Sequence, residues 1–136
     1  MTFVDGRAPD VLAAADAAVV ASGTATLEAA LAQVPTVVVY RMSWLSWIVG
    51  RLLVRVPFVS LVNLLAGRRL VPELLQRDCT GGRIAESAAP LLTAGEAREA
   101  QIEGMRQIRA GLAPAGSPGA ARRAAQEVAE LLGDGP

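Results

Sequence analysis

ASGTATLEAALAQVPTVVVYR, residues 21–41, places an apolar run, a glycine break, a helix-forming stretch and a second apolar run in immediate succession. Ala17 to Ala21 is short and apolar with two valines, which predicts a strand. Ser22-Gly23-Thr24 breaks it, and Ala25 to Ala32 holds good helix formers with neither Gly nor Pro. The chain is therefore expected to turn from strand to helix at Gly23. A helix that starts this way leaves unpaired backbone N–H groups beyond the carboxyl end of the strand, where open α/β sheets bind their ligands. Gly23 permits close approach, and Ser22 and Thr24 add hydroxyl donors, so the turn suits a nucleotide phosphate.

Glu28 lies four residues after Thr24, one turn into the expected helix, and so points back towards the same mouth. It is out of capping-box register, which leaves its carboxylate free to accept from a ligand hydroxyl such as a ribose diol. A solvated helix carboxylate near the positive end of the macrodipole accounts for it equally well.

Working outward, the chain alternates in a way that predicts a parallel, Rossmann-like α/β sheet with crossover helices. Expected elements are a strand at Thr2 to Val4, a helix near Pro9 to Ala15, the strand Ala17 to Ala21, the helix from Ala25, a strand Thr36 to Val39, a helix over 43–55 and a last strand Phe58 to Leu61. Beyond Pro72 the pattern predicts only helices: Pro72 to Gln76, Arg83 to Leu92, Glu96 to Leu112 and Ala120 to Leu132. The 136 residues thus read as one domain, Rossmann-like over about 1–65 with a helical tail over about 72–136.

Composition narrows the chemistry. Net charge is zero, all the basic residues are Arg, and no basic cluster points to nucleic acid. With no His in the chain, the commonest general base and metal ligand is missing, and no metal site is expected. The single cysteine, Cys79, cannot form an internal disulfide, which is compatible with a reducing cytoplasm. Residues 1–20 carry Asp5, Asp10 and Asp16 and no basic start of a secretory signal.

The longest apolar stretch, Trp44 to Leu65, is interrupted by Arg51, Arg55 and Pro57. Each Arg at a bilayer centre costs at least ~2.5 kcal/mol, so the stretch is not expected to span a membrane. At helical spacing Leu45, Val49, Leu52 and Leu53 share a core face, while Trp44, Trp47, Arg51 and Arg55 share another. Indoles beside guanidiniums suit an anionic membrane surface, and equally a contact with another domain or a second subunit in a homodimer.

Asn63 and Arg68 flank the turn Ala66-Gly67, so both polar heads can face one ligand if Leu64-Leu65 anchors the loop beneath. A guanidinium there could neutralise a diphosphate bidentately and remove the need for a metal. Glu73, at the start of a helix opened by Pro72, sits where an acid is favourable. Arg68 and Glu73 also read as an ordinary surface ion pair. Tyr40-Arg41 ends a strand at the same sheet edge and forms the next candidate pair.

The string SGTATLEAAL, then P-x-V-V-x-YR, then VSLVNLLAGRRLVPELLQ closely resembles the carboxyl-terminal half of the lipid-A-disaccharide synthase family. Val59 to Gln76 is the specific part of that likeness, whereas the SGT…E turn is shared more loosely with other two-domain glycosyltransferases and with nucleotide-sugar epimerases. Val62 departs from the family, which usually has Pro before the Asn; a rigid φ is lost and a backbone N–H gained in the loop carrying Asn63.

The resemblance implies a GT-B-type inverting glycosyltransferase with its active site between two domains, one of them represented here. The reaction implied moves 2,3-diacylglucosamine from UDP to 2,3-diacylglucosamine 1-phosphate in lipid A biosynthesis, without a cofactor. It also implies a donor site of Ser22, Gly23, Thr24, Glu28, Tyr40, Arg41, Asn63, Arg68, Glu73 and Gln76. Asn63 and Arg68 would stabilise the leaving group, and the general base would lie on the other half. A cytoplasmic enzyme, peripheral on the inner membrane, is expected, and this chain alone is expected to be a fragment that holds UDP and catalyses nothing. A UDP-binding module that pairs with a separate acceptor half and an epimerase-like protein are the alternatives.

Overall fold

The computed structural model describes residues 1–43, 57–112 and 128–129. The Trp44, Trp47, Arg51, Arg55 face and the helix expected over 120–132, residues 128–129 apart, lie outside the described residues.

The chain opens with helix α1 (Ala8–Ala13), started by Pro9 in its first turn, and then builds strand β1 (Ala18–Ala21), helix α2 (Thr24–Leu31) and strand β2 (Thr36–Tyr40). Helix α3 (Leu61–Ala66) precedes strand β3 (Glu73–Leu75), which runs directly into a 3₁₀ turn, Gln76–Asp78. Helix α4 (Gly81–Ala88), a second 3₁₀ turn (Ala89–Leu91) and the long helix α5 (Glu96–Leu112) follow. The three strands form one parallel sheet in the order β1-β2-β3, with Ala21 opposite Val39 and Tyr40 opposite Leu75. The parallel α/β class read from the sequence is therefore the observed one.

Alternation along β2 explains how the sheet is covered, because successive side chains of a strand point to opposite faces. Val38 packs with Ala30, Val62, Leu70, Val71, Met105 and Ile108 under α2, α3 and α5. Val37 packs instead with Leu74 and Leu91, against Ile84 and Ala88 of α4. Burial on both faces is why TVVVY reads as an unbroken apolar run rather than an alternating one.

Three expectations are overturned. Thr2 to Val4 forms no strand; Phe3 is 87% exposed and nothing pairs with this segment among the described residues. Phe58 to Leu61 is not a strand either, because Ser60 caps α3 by accepting from the Asn63 N–H, and Leu61 is already the first helical residue. Pro72 to Gln76 is not a helix, so the sheet extends past residue 65 and the tail beyond 72 is not wholly helical. Glu, Leu and Gln are good helix formers, yet the β2 edge takes the segment: Val38 N–H donates to the Pro72 carbonyl at 2.9 Å and Leu74 closes the second core. The helix expected over Arg83 to Leu92 starts earlier, at Gly81 behind a Thr80 cap, and tightens to 3₁₀ around Pro90. Among the described residues no helix is long and apolar enough to cross a membrane.

Candidate functional site

All three strands point their carboxyl ends the same way, so Ser22-Gly23-Thr24, Arg41-Met42 and Gln76 emerge side by side at one edge of the sheet. Ser22 extends the ladder, its N–H donating to the Val39 carbonyl at 3.0 Å. Gly23 then takes φ 139°, ψ −158°, a region essentially closed to residues with a Cβ. A Cβ built there would meet nothing within 4 Å, so the glycine is demanded by backbone shape, and the space beyond it is open. Gly23 is the N-cap of α2 and no side chain caps that helix, which leaves the Thr24 and Ala25 amides facing outward from a positive helix end. Thr26 stiffens the turn from inside: it is fully buried, and its Oγ1 donates to the Gly23 carbonyl at 2.7 Å.

Glu28 is exposed on α2, one turn after Thr24, and its carboxylate forms no hydrogen bond or ion pair among the described residues. Thr24 and Arg41 are exposed as well, and Tyr40 is half-buried at the end of β2. These groups remain available to a ligand at this edge.

Gln76 is differently employed. It sits at φ 50°, a left-handed conformation that costs a non-glycine residue roughly 1–2 kcal/mol. Its amide offsets this by gripping the Met42 backbone at both ends: the Met42 N–H donates to Oε1 at 2.8 Å, and Nε2 donates to the Met42 carbonyl at 3.1 Å. The exits of β2 and β3 are thereby clamped together beside a cleft of about 180 Å³ lined by Arg41, Met42, Gln76 and Arg77.

The Asn63 side chain turns into the protein rather than out of the loop, which corrects the expected geometry. Its side chain is fully buried, and both its donor and acceptor capacity are used within the chain. Nδ2 donates to the Val71 carbonyl and to Glu73 Oε1, each at 2.9 Å, while Oδ1 accepts from the Leu70 and Val71 amides at 2.8 and 2.9 Å. Val62 is buried beside it in the first core, so the position the family usually gives to Pro serves here as packing. Arg68 lies past Gly67, which ends α3 at φ 64°, and its exposed side chain lines a different groove. That groove, about 600 Å³, also takes in Arg69, Arg83 and Gln101. The structure does not bring Asn63 and Arg68 to one surface.

Glu73 stands in a strand, not at a helix start, and forms no ion pair with Arg68. Its carboxylate collects the Val59 N–H (3.1 Å), the Ser60 N–H (2.9 Å), the Ser60 hydroxyl (2.8 Å) and Asn63 Nδ2 (2.9 Å). Burial pushes the carboxyl up, but the donors from Ser60, Val59 and Asn63 outweigh it and hold Glu73 below its ordinary value.

Sequence reasoning missed Ser60, Val59, Met42 and Thr26 as supports of this edge. Ser60 carried a legible signal, since Ser directly before Leu61-Val62 is an N-cap pattern. The backbone groups of Val59 and Met42 carry none.

The fold and this edge define the class first: a parallel α/β domain whose glycine turn and uncapped helix start lie beyond the strand ends, where such sheets take ligands. The family model described as Lipid-A-disaccharide synthetase matches residues 1–128, and the chain belongs to that family. The chain is similar to the lipid-A-disaccharide synthase of Myxococcus xanthus, 56% identical over 133 residues, covering 98% of this chain and 34% of that relative. A namesake from Anaeromyxobacter dehalogenans is 55% identical over 130 residues, covering 96% of this chain and 33% of its own length. One from Solibacter usitatus is 44% identical over 128 residues, covering 93% and 34%. The chain thus spans about a third of the length of the curated relatives it matches.

Proposed function

We propose that this chain forms the nucleotide-sugar site of a GT-B-type glycosyltransferase that joins two acylated glucosamine units, taking 2,3-diacylglucosamine from UDP and releasing UDP. One observation carries the reading: the Gly23 turn, with an uncapped helix start and an unengaged Glu28, stands at the carboxyl edge of the sheet in a chain of this family.

In this reading the Thr24 and Ala25 amides and the Thr24 hydroxyl receive the diphosphate, Ser22 belongs to the frame of the turn because its hydroxyl donates to the Val59 carbonyl, and Glu28 accepts from the ribose hydroxyls. Tyr40 and Arg41 flank the same mouth. Arg41, directly after β2, offers charge to the departing diphosphate, and Arg68 at the other groove is the second candidate for that role. Gln76, Asn63 and Glu73 belong to the site as its frame, holding the loops that present the ligand groups. Deprotonation of the acceptor hydroxyl falls to a residue outside this chain's described edge. Acylated sugar substrates and a UDP donor suit a cytoplasmic enzyme working against a membrane surface.

A chimera tests this directly. The matching third of the Myxococcus xanthus relative is replaced by this chain, and disaccharide formation is followed from UDP-2,3-diacylglucosamine and 2,3-diacylglucosamine 1-phosphate. Turnover that is lost on Glu28→Ala with unchanged melting temperature is expected. A folded chimera that binds neither UDP nor donor refutes the reading.

A further inference from the structure

We propose that Glu73 is a positioning residue for the glycine turn, acting through Val59, Ser60 and Ser22 without touching a ligand. The inference takes its functional meaning from the reading of that turn as the diphosphate cradle, while the mechanical link it describes stands on the hydrogen bonds alone.

The path is continuous and short. Residues 57–60 belong to no strand, so the Val59 and Ser60 amides have no ladder to donate into. Buried backbone donors must find an acceptor somewhere, and the Glu73 carboxylate supplies it for both, at 3.1 and 2.9 Å. Ser60 is fully buried and adds its hydroxyl at 2.8 Å, so the segment is held at consecutive points. Fixing the Val59 N–H sets the orientation of that residue, and its carbonyl then faces β1, where Ser22 Oγ donates to it at 3.2 Å. Ser22 immediately precedes Gly23. The turn is thereby restrained from three directions: by the ladder bond to Val39, by Thr26 Oγ1 on the Gly23 carbonyl, and by the Val59 carbonyl on Ser22. Only the last leads outside the β1-α2-β2 unit, and it leads to Glu73.

The chemistry of the group fits this role better than ligand contact. Oε1 already receives Ser60 N–H, Ser60 Oγ and Asn63 Nδ2, and Oε2 receives Val59 N–H. A carboxylate accepts only, so it can serve donors converging from every side; an amide of the same shape would turn an NH₂ group towards one of them. A phosphate cradle depends on its N–H groups staying within about 0.5 Å of the productive geometry, which is the tolerance such a frame must supply.

Amide hydrogen exchange of the purified protein, read by mass spectrometry, tests the link in wild type, Glu73→Gln, Ser60→Ala, Ser22→Ala and the Glu73→Gln/Ser22→Ala double variant, each with its melting temperature. Exchange over 22–26 is expected to quicken by roughly tenfold in every variant, reflecting a more open local equilibrium. In Ser22→Ala the change is confined to 22–26, and in the Glu73 and Ser60 variants it includes 59–63. The double variant should be no faster over 22–26 than Ser22→Ala, because both changes cut one path. A Glu73→Gln protein that loosens 59–63 but leaves 22–26 as in wild type overturns the proposal. So does uniform acceleration that includes β2 at 36–40, which marks a merely structural carboxylate. If Glu73→Gln does not fold, Ser60→Ala decides the matter on the same criteria. UDP titration of the same set separates link from function: affinity should fall roughly tenfold with the coupled variants, the lower end of what loss of an orienting partner costs. Wild-type protein that ignores UDP while exchange remains coupled refutes the nucleotide reading and leaves the positioning link intact.

Discussion

Replacing Asn63 by Ala removes the acceptor of two buried amides, those of Leu70 and Val71, and the donor to the Val71 carbonyl. Leu70 and Val71 are 7% and 1% exposed, so water reaches these groups poorly. An unsatisfied buried donor costs about 1–3 kcal/mol, which puts the two amides at roughly 2–6 kcal/mol together. The void left by the side chain is small and polar-lined, so a water entering it offsets part of this, and about 3 kcal/mol is expected. That is a large share of the roughly 5–15 kcal/mol that holds a domain together. Urea denaturation of the purified variant measures it, with the m value checking that the transition is otherwise unchanged. Asn63→Asp should be at least as harmful above the pH where both carboxylates ionise, because it sets a second anion beside Glu73 Oε1, 2.9 Å from the present Nδ2. A loss below about 1 kcal/mol for Asn63→Ala at constant m contradicts the hub role and returns Asn63 to the ligand-facing role the sequence suggested.

The Glu73 carboxyl, held below its ordinary value of 4.5, contributes stability that is fully present above that value and is lost as pH falls through the lowered native one. An acid denaturation profile should therefore lose part of its steepness below about pH 4 in Glu73→Gln, and an unchanged profile contradicts the cause assigned here. Gln101→Ala leaves the Thr36 N–H, bonded at 2.8 Å to Oε1, without an acceptor at the start of β2; a loss of about 1–3 kcal/mol in thermal or urea melts is expected. Gly104→Ala puts a Cβ 2.3 Å from Leu70 Cδ1 in the first core. The overpacking cost of about 1–3 kcal/mol should exceed the gain of about 1 kcal/mol in helix propensity, so a stabilised variant contradicts the packing of α5 on Leu70.

How much of this was legible in the chain varies with the source of each feature. The strand-turn-helix at residues 18–31 was readable because local signals agree: a short valine run, a glycine and an alanine-rich stretch without breakers. Helix α5 was placed at Glu96 to Leu112 from the breaks that flank it, Thr93-Ala94-Gly95 before and Pro114 to Gly119 after. β3 was misread as a helix because Glu-Leu-Leu-Gln has helical propensity, and only the waiting edge of β2, distant in sequence, decides otherwise. The site divides in the same way. Gly23 and Glu28 were found from local spacing, and the structure leaves both open at the carboxyl edge. Asn63, Glu73 and Gln76 were picked out by family resemblance as ligand contacts, whereas each is engaged with backbone groups elsewhere in the chain, from Gln76 reaching Met42 to Glu73 reaching Val59. A motif marks a residue as mattering without saying whether it touches the ligand or holds what does.

Calorimetric titration of UDP into the purified protein and into Glu28→Ala bears most directly on the central claim, that the Gly23 edge holds the nucleotide. The Glu28 carboxylate is free of other bonds among the described residues, so its replacement should leave the fold untouched and act only through the ribose hydroxyls. Binding to wild type is predicted, with a loss of roughly 1.5–3 kcal/mol in Glu28→Ala at an unchanged melting temperature. No heat with wild type, or equal affinity in the two proteins, contradicts the account.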